Sequence, residues 1–395
     1  MVASIGSETP KSQATKSSWK IPTNPQLRPP MISRVNANQS RKLYFIEVKL
    51  SCFTFSIEKL GLTNALQLIY TPKPMEANQI QNELEKAQKQ QTLSISDLYA
   101  INQLNKEDIE LIFAVARVFK KSFTNGEKQL DLLRGKTSIN FFSEASTRTR
   151  SSFELAAKYL GMHVVSIVGS DSSRKKGETF QETAQTLEAL SADFFVIRDS
   201  ENGLPEKVAG FVKIPVLNAG DGVNQHPTQA LLEAFTLREK FGEKPLNYLF
   251  VGDALHSRVF GSQREIYAKL GYQLKLASPK ALQPKDLKGI EVGENLDEML
   301  AGVDAIHAIR LQKERVESGL VESLGDYSKD YCITNERVGK MNEGGVVLHA
   351  GPVMRDFDVA SEVMDGKRSL ILEMVKNGLF IRMSLLWLLS QKKKS

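Results

Sequence analysis

Residues 141–161 read "FFSEASTRTRSSFELAAKYLG". An apolar run ends at Phe142, and Phe153, Ala156, Ala157 and Leu160 fall on one helical face. A strand that feeds a helix through a short polar turn is the repeating unit of a parallel α/β sheet. Such a turn aims backbone N–H groups and the positive end of the helix dipole at one point, where an anion is stabilised. Ser146, Thr147 and Thr149 add hydroxyl donors, and Arg148 adds a planar bidentate cation. Capping alone needs one hydroxyl and no arginine, so the stretch reads as an anion site. Arg150 stays open between the field of a bound substrate and a structural ion pair. The nearby "RGKTS" (134–138) is not a nucleoside-triphosphate loop, because Leu130 stands where its first glycine is required.

Outward from this junction the same rhythm continues. Apolar runs at 138–142, 164–168, 193–198, 213–217, 247–252, 272–276, 303–309 and 345–349 are predicted strands, with helices over 151–160, 178–190, 228–241 and 258–270. Asn105 is placed to cap an earlier helix whose apolar face includes Ile109, Ile112, Phe113, Ala116 and Phe119. The alternation predicts α/β architecture with two doubly wound parallel-sheet domains. Ligands in such folds sit at the carboxyl ends of strands, so the other strand-to-helix junctions are searched for chemistry.

Arg198 closes the buried run "DFFVIR" and points toward the same crevice. In "PVLNAGDGVNQHPTQALLEAFTL" (215–237), His226 and Gln229 bracket the start of a helix whose first turn holds Pro227. An imidazole there can donate to a carbonyl oxygen, and an amide can read an –NH₂ group. "YLFVGDALHSRVFGS" lacks the GxGxxG series of a dinucleotide site, and Arg258 at its helix start suits a carboxylate better than a pyrophosphate. "AIHAIRLQKER" ends a strand with Arg310 and Gln312, and "VVLHAGPVMRD" ends one at His349-Ala350-Gly351-Pro352, where backbone carbonyls can accept hydrogen bonds. The polar segment 169–187, with Arg174, Lys175 and Lys176, reads on its own as a solvated loop. One half thus offers a phosphate-and-carbonyl site and the other arginines for carboxylates. That combination predicts transfer from a small phosphorylated donor to a small dianionic acceptor.

Composition sets the outer limits. The chain has 395 residues, 41% hydrophobic and 25% charged, with a net charge of +6 spread along its length. It carries no basic stripe interleaved with aromatics, so nucleic acid is not expected as a partner. Two cysteines, Cys52 and Cys332, predict a reducing compartment, read as cytoplasmic, without a disulfide framework. No apolar run approaches the roughly 18 residues of a membrane span. Five histidines with no HExxH or Cys/His spacing predict no metal site. The first ~74 residues are rich in Ser, Thr, Pro and Lys, as in disordered tails. Three readings of them stay open: a disordered extension, an organellar transit peptide, or a stretch upstream of a native start at Met75.

Taken together, these residues resemble the aspartate/ornithine carbamoyltransferase family, from about residue 92 to 390. "FSEASTRT" (142–149) is similar to the carbamoyl-phosphate signature of that family. "HPTQ" (226–229), "GDALHSRV" (252–259), "RLQKER" (310–315) and "NGLFIR" (377–382) resemble its aspartate-using members. The HPCQ, SMG and HCLP stretches of ornithine-using members are absent, and Glu144 stands where those members usually carry lysine.

The resemblance implies that Ser146, Thr147, Arg148 and Thr149 hold the phosphate of carbamoyl phosphate. Arg198 would bridge phosphate and carbonyl, His226 would polarise the carbonyl oxygen, and Gln229 with the carbonyls of Gly351 and Pro352 would read the carbamoyl nitrogen. Arg258, Arg310, Gln312 and Lys176 would recognise L-aspartate, with Arg148, Arg198, His226 and Lys176 counted as catalytic. Ser172 and Lys176 would reach a neighbouring subunit's site in a homotrimer, without metal or cofactor. Regulatory or dihydroorotase subunits are left open as partners. The implied division is an extension over 1–91, a carbamoyl-phosphate domain over 92–241 completed by a returning C-terminal helix in 369–395, and an aspartate domain over 242–368.

Four residues depart from the family's pattern: Asp199 for histidine, Ala350 for proline, Met354 for asparagine and Glu373 for glutamine. Asp199, if turned inward, would weaken phosphate attraction. The rival readings are a different acceptor amine and a non-catalytic paralogue that binds a metabolite.

Overall fold

The computed structural model describes residues 77–88, 91–169, 177–312, 324–392 and 394. The described strands form two all-parallel sheets. β1 (Thr137–Phe142), β2 (His163–Val168), β3 (Phe194–Asp199) and β4 (Val216–Asp221) make the first, in the order β2-β1-β3-β4. β5 (Asn247–Gly252), β6 (Gln273–Ala277), β7 (Ile290–Gly293), β8 (Ala305–Ile309) and β9 (Val346–Leu348) make the second, in the order β7-β6-β5-β8-β9. The helices are α1 (Ala77–Gln88), α2 (Lys106–Thr124), α3 (Thr147–Tyr159), α4 (Phe180–Ala189), α5 (Leu204–Ala209), α6 (Pro227–Phe241) and α7 (Arg258–Lys269). They continue as α8 (Leu296–Met299), α9 (Leu324–Tyr331), α10 (Asn335–Gly339), α11 (Ser361–Met364) and α12 (Ile371–Ser390).

Local chemistry accounts for these elements. Asn105 caps α2 by accepting from the Asp108 N–H at 2.7 Å, and Asp108 returns a bond to the Asn105 N–H. Thr179 and Glu182 do the same for α4. The inner strand β3 is buried on both faces through Phe194, Phe195, Val196 and Ile197, as expected where helices cover both sides of a parallel sheet. Edge strand β2 is largely exposed. Three apolar clusters result. One lies on the far side of each sheet, and a larger one joins α2, α3, α6 and α12 to the face of the second sheet that carries Tyr248 and Phe250.

Most predicted spans agree within two residues; two boundaries and one strand depart further. α3 starts at Thr147, four residues before the predicted 151, so the hydroxyl-and-arginine run forms its first turn. The fourth strand runs over Val216–Asp221 instead of 213–217. The amides of Lys213 and Ile214 are taken by Glu188, and Pro215 has no N–H to offer, so pairing with β3 begins at Val216. β7 was not predicted, because it is a four-residue, half-exposed edge strand with little apolar signal.

α12 returns the chain to the first half. It packs against α2, α3 and α6, with Phe380, Ile381, Leu385, Leu386 and Leu389 buried. At its start, Lys120 on α2 reaches Glu239 at 2.6 Å, Glu373 at 2.6 Å and Asn377 at 2.9 Å. Glu373, one of the departures, is therefore one of two carboxylates held by this lysine. Among the described residues no helix is long and apolar enough to cross a membrane.

Leu386 is fully buried in this helix. Leu386→Ala is expected to cost roughly 2–5 kcal/mol of stability. A urea titration of the purified variant checks this; a loss below about 1 kcal/mol would mean that α12 is not part of the packed core.

Candidate active site

In a doubly wound sheet the crevice opens where neighbouring strands lead their helices to opposite faces. The first sheet has this switch between β1 and β3, and the second between β5 and β8. β1 leads into Glu144–Thr149, β3 ends at Arg198-Asp199, β5 leads to Arg258, and β8 leads to Arg310 and Gln312. These four strand ends line one cavity of about 700 Å³, together with His226, Gln229, His349, Gly351, Pro352 and Arg382. All the sequence-predicted site residues meet there except Ser172 and Lys176, which lie outside the described residues, as does the continuation of "RLQKER" past Gln312.

On the first-sheet side, Ser146 is the N-cap residue of α3 by backbone geometry, yet its hydroxyl makes no capping bond. The hydroxyl is therefore not spent on capping. Arg148 lies against Gly351, where a Cβ would come within 2.8 Å of the guanidinium carbon. Only a glycine lets the two touch this closely, and its φ of +71° suits it to the turn. Arg150 does not line the cavity.

Arg198 and Arg258 converge on one carboxylate. Glu144 Oε2 lies 3.4 Å from Arg198 Nε and 2.7 Å from Arg258 Nη1, and Arg258 Nη2 donates to Oε1 at 3.1 Å. Arg198 also donates to the Ala219 carbonyl at 3.4 Å. Gly220 opens the seam here: a Cβ on it would meet the Arg258 side chain at 3.2 Å and the His226 ring at 3.4 Å.

His226 is the N-cap residue of α6, and its backbone N–H donates to Ser262 Oγ at 2.8 Å. Burial, reinforced by Arg198, Arg382 and Arg258, holds its pKa well below the ordinary imidazole value. The ring is therefore neutral near pH 7, and its buried Nδ1 has no partner. A neutral ring can donate one N–H without adding charge. Gln229 sits one turn inside the same helix, with its side chain toward the cavity.

On the second-sheet side, Asp253 is fully buried and ties the two carboxylate-facing segments together. It accepts from the Gln312 N–H at 3.2 Å and pairs with the His256 ring at 2.8 Å, two residues before Arg258. His349 receives the Gly351 N–H on Nδ1 at 2.7 Å and faces Asp358 through Nε2 at 3.1 Å. That tautomer aims the 350–352 turn at the cavity.

Two contributors escaped the sequence reading. Arg382 is buried, rests over the Phe153 ring at 5.1 Å and donates to Ser152 at 3.0 Å and to Thr228 at 3.5 Å. Burial pushes its pKa down to about 9, and its Nε has no partner. An arginine inside the apolar run "LFIRMSLLWLL" was the available signal. The other is Glu144, read only for what it replaces. Asp199 does not face inward: its carboxylate accepts from Ser143 Oγ at 2.6 Å and from the Glu201 N–H at 2.9 Å. The Met354 N–H is held by Asp358 at 2.9 Å. Nothing in the structure explains alanine at 350. Among the described residues no cluster of His, Cys, Asp and Glu forms a potential metal site.

This arrangement can hold a phosphate at one end and a dicarboxylate at the other, with a neutral hydrogen-bond donor between them. Comparisons agree. The aspartate/ornithine carbamoyltransferase models match twice, the carbamoyl-P binding domain over residues 96–239 and the Asp/Orn binding domain over 244–389. The aspartate carbamoyltransferase catalytic subunits of Moorella thermoacetica and Halothermothrix orenii are each 43% identical, covering 75% of this chain and 98% and 96% of theirs. Aspartate transcarbamoylase from Trypanosoma cruzi, in complex with carbamoyl phosphate and aspartate, superposes with a TM-score of 0.67 at 28% identity over 74% of this chain and 94% of that one. Ornithine carbamoyltransferase from Pyrococcus furiosus gives 0.67 at 26% identity, over 73% and 95%. The two halves of the chain thus match the two domain models in order, and the chain belongs to the aspartate/ornithine carbamoyltransferase family.

Proposed function

We propose that this chain transfers the carbamoyl group of carbamoyl phosphate to the amine of L-aspartate, giving N-carbamoyl-L-aspartate and phosphate in de novo pyrimidine biosynthesis. The observation that carries the reading is one cavity with a phosphate-type site and a dicarboxylate-type site at facing switch points. Residues 92–241 with 369–395 serve carbamoyl phosphate, and 242–368 serve aspartate.

Ser146, Thr147, Arg148 and Thr149 bind the phosphate, with the α3 dipole adding to the hydroxyl and guanidinium donors. Arg198 spans phosphate and carbonyl oxygen. His226, neutral because it is buried among arginines, donates a proton-shared bond to the carbonyl oxygen without protonating it. Gln229 and the carbonyls of Gly351 and Pro352 hold the –NH₂, which an acyl group lacking that donor cannot match. Arg258, Arg310 and Gln312 take the aspartate carboxylates, so the amine points at the carbamoyl carbon. The amine lone pair forms the new N–C bond, a tetrahedral intermediate collapses, and the C–O bond to phosphate breaks. The departing phosphate accepts the amine proton. Orientation and stabilisation of the developing oxyanion supply the acceleration. Arg382, bonded to Ser152 and Thr228, steadies the N-terminal portions of the two helices that face the donor.

A homotrimer, with Ser172 and Lys176 completing a neighbour's site, is part of the proposal. Edge strand β2 and helix α3 expose Val165, Val168 and Leu155, apolar surface available for such contacts. A cytoplasmic setting suits Cys332, a buried free thiol.

Purified protein given carbamoyl phosphate and aspartate is expected to release phosphate and N-carbamoyl-L-aspartate in equal amounts, and to leave ornithine unmodified. No product at millimolar substrates would overturn the reading. Arg198→Ala should lower kcat about 10²- to 10³-fold, the range for losing one preorganised oxyanion donor. His226→Asn should lower the rate by a constant factor from about pH 6 to 9, since a ring neutral throughout that range does not titrate within it. A ratio that changes through the ordinary imidazole range would show that His226 ionises during turnover. The same depressed pKa means that the unfolded chain binds a proton the folded one refuses, so stability contributed by this group falls as the pH drops below that range.

A further inference from the structure

One buried carboxylate takes no part in the chemistry above. Glu233 lies on α6, four residues after Gln229 and so on the same helical face. It is fully buried. Its Oε1 accepts from the Tyr248 hydroxyl and from the Tyr267 hydroxyl at 2.9 Å, and both carboxylate oxygens lie 3.0 Å from His307 Nδ1, which Gln263 Nε2 also approaches at 3.1 Å. A carboxylate removed from water is tolerated when donors surround it in this way. Burial and the Glu233 charge both raise the pKa of the two phenols far above the ordinary value, so they remain donors at any physiological pH.

The placement of those donors is informative. α6 belongs to the half that carries His226 and Gln229. Tyr248 is on β5, whose end leads to Arg258. Tyr267 is on α7, which begins at Arg258. His307 is on β8, three residues before Arg310, and lines the cavity. Among the described residues, every side chain bonded to Glu233 thus comes from an element of the opposite half that also carries, or leads to, a carboxylate-facing arginine.

We propose that Glu233, with His307, Tyr248 and Tyr267, is a positioning residue that sets the distance between the phosphate-binding and dicarboxylate-binding halves of the site. This rests on the functional reading above. Glu233 touches neither substrate. Loss of its charge loosens the register of β8 and α7 against α6, so a ligand confined to one half binds as before. A ligand that must span both halves does not.

N-(phosphonacetyl)-L-aspartic acid is a fitting ruler, because it carries a phosphonate and two carboxylates on one backbone; a Trypanosoma cruzi relative has been solved in complex with it. Calorimetric titration compares this compound with inorganic phosphate in the wild type, Glu233→Gln and Tyr267→Phe. For folded Glu233→Gln, the bisubstrate Kd should rise about 10- to 100-fold, the scale of a misplacement near 1 Å, while the phosphate Kd stays within about twofold. Tyr267→Phe removes one hydroxyl and should shift the same ratio in the same direction by a smaller factor, which keeps the test open if Glu233→Gln does not fold. An unchanged bisubstrate Kd in folded variants overturns the proposal, and so does an equal loss for both ligands. Failure of the wild type itself to bind the bisubstrate compound would instead reject the functional reading.

Discussion

The Glu144 carboxylate stands between two guanidiniums that arrive from different sheets, Arg198 from the end of β3 and Arg258 from the start of α7. Both arginines are largely withdrawn from water, and like charges so placed repel strongly unless an anion lies between them. Glu144 is that anion. It follows β1 by two residues, so the hydroxyl-and-arginine turn also carries the carboxylate that Arg258 of the second half meets. In the proposed reaction an incoming dianion would meet arginines already gathered and compete with one carboxylate for them.

The same concentration of positive charge explains the state of His226. An imidazole buried among Arg198, Arg258 and Arg382 does not take up a proton, which leaves it suited to hydrogen-bond a carbonyl and unsuited to act as a strong acid. In the proposed reaction two tasks are thereby separated: the arginines would supply charge and the histidine direction. α12 contributes to both. Its apolar residues lock α2, α3 and α6 into one core, while Arg382 emerges from that core to bond Ser152 of α3 and Thr228 of α6.

Much of this was legible in the sequence, because the fold repeats one motif with a clear signal. Buried parallel strands read as short apolar runs, and each polar cluster that mattered sat where such a run ended. The residues read least well were those whose meaning depends on direction or distance. Asp199 follows Arg198 in the chain, yet alternation along β3 and the Ser143 hydroxyl turn it away from the cavity. β7 has too little burial to leave a pattern. Glu233, Tyr248, Tyr267 and His307 look like ordinary helix and strand residues until packing brings together positions up to 74 residues apart. Glu373 changes a family glutamine to an acid, and only the approach of Lys120, far away in sequence, shows what receives its charge.

The central claim is that two half-sites meet across Glu144 and that each reads one end of the reacting pair. A crystal structure of this chain with N-(phosphonacetyl)-L-aspartic acid tests it most directly. The account predicts the phosphonate at the first turn of α3, against Ser146, Thr147, Arg148 and Thr149, with the carboxylates on Arg258 and Arg310 and the amide oxygen beside His226. A phosphonate seated on Arg258 and Arg310, or a ligand held by one half alone, would contradict it.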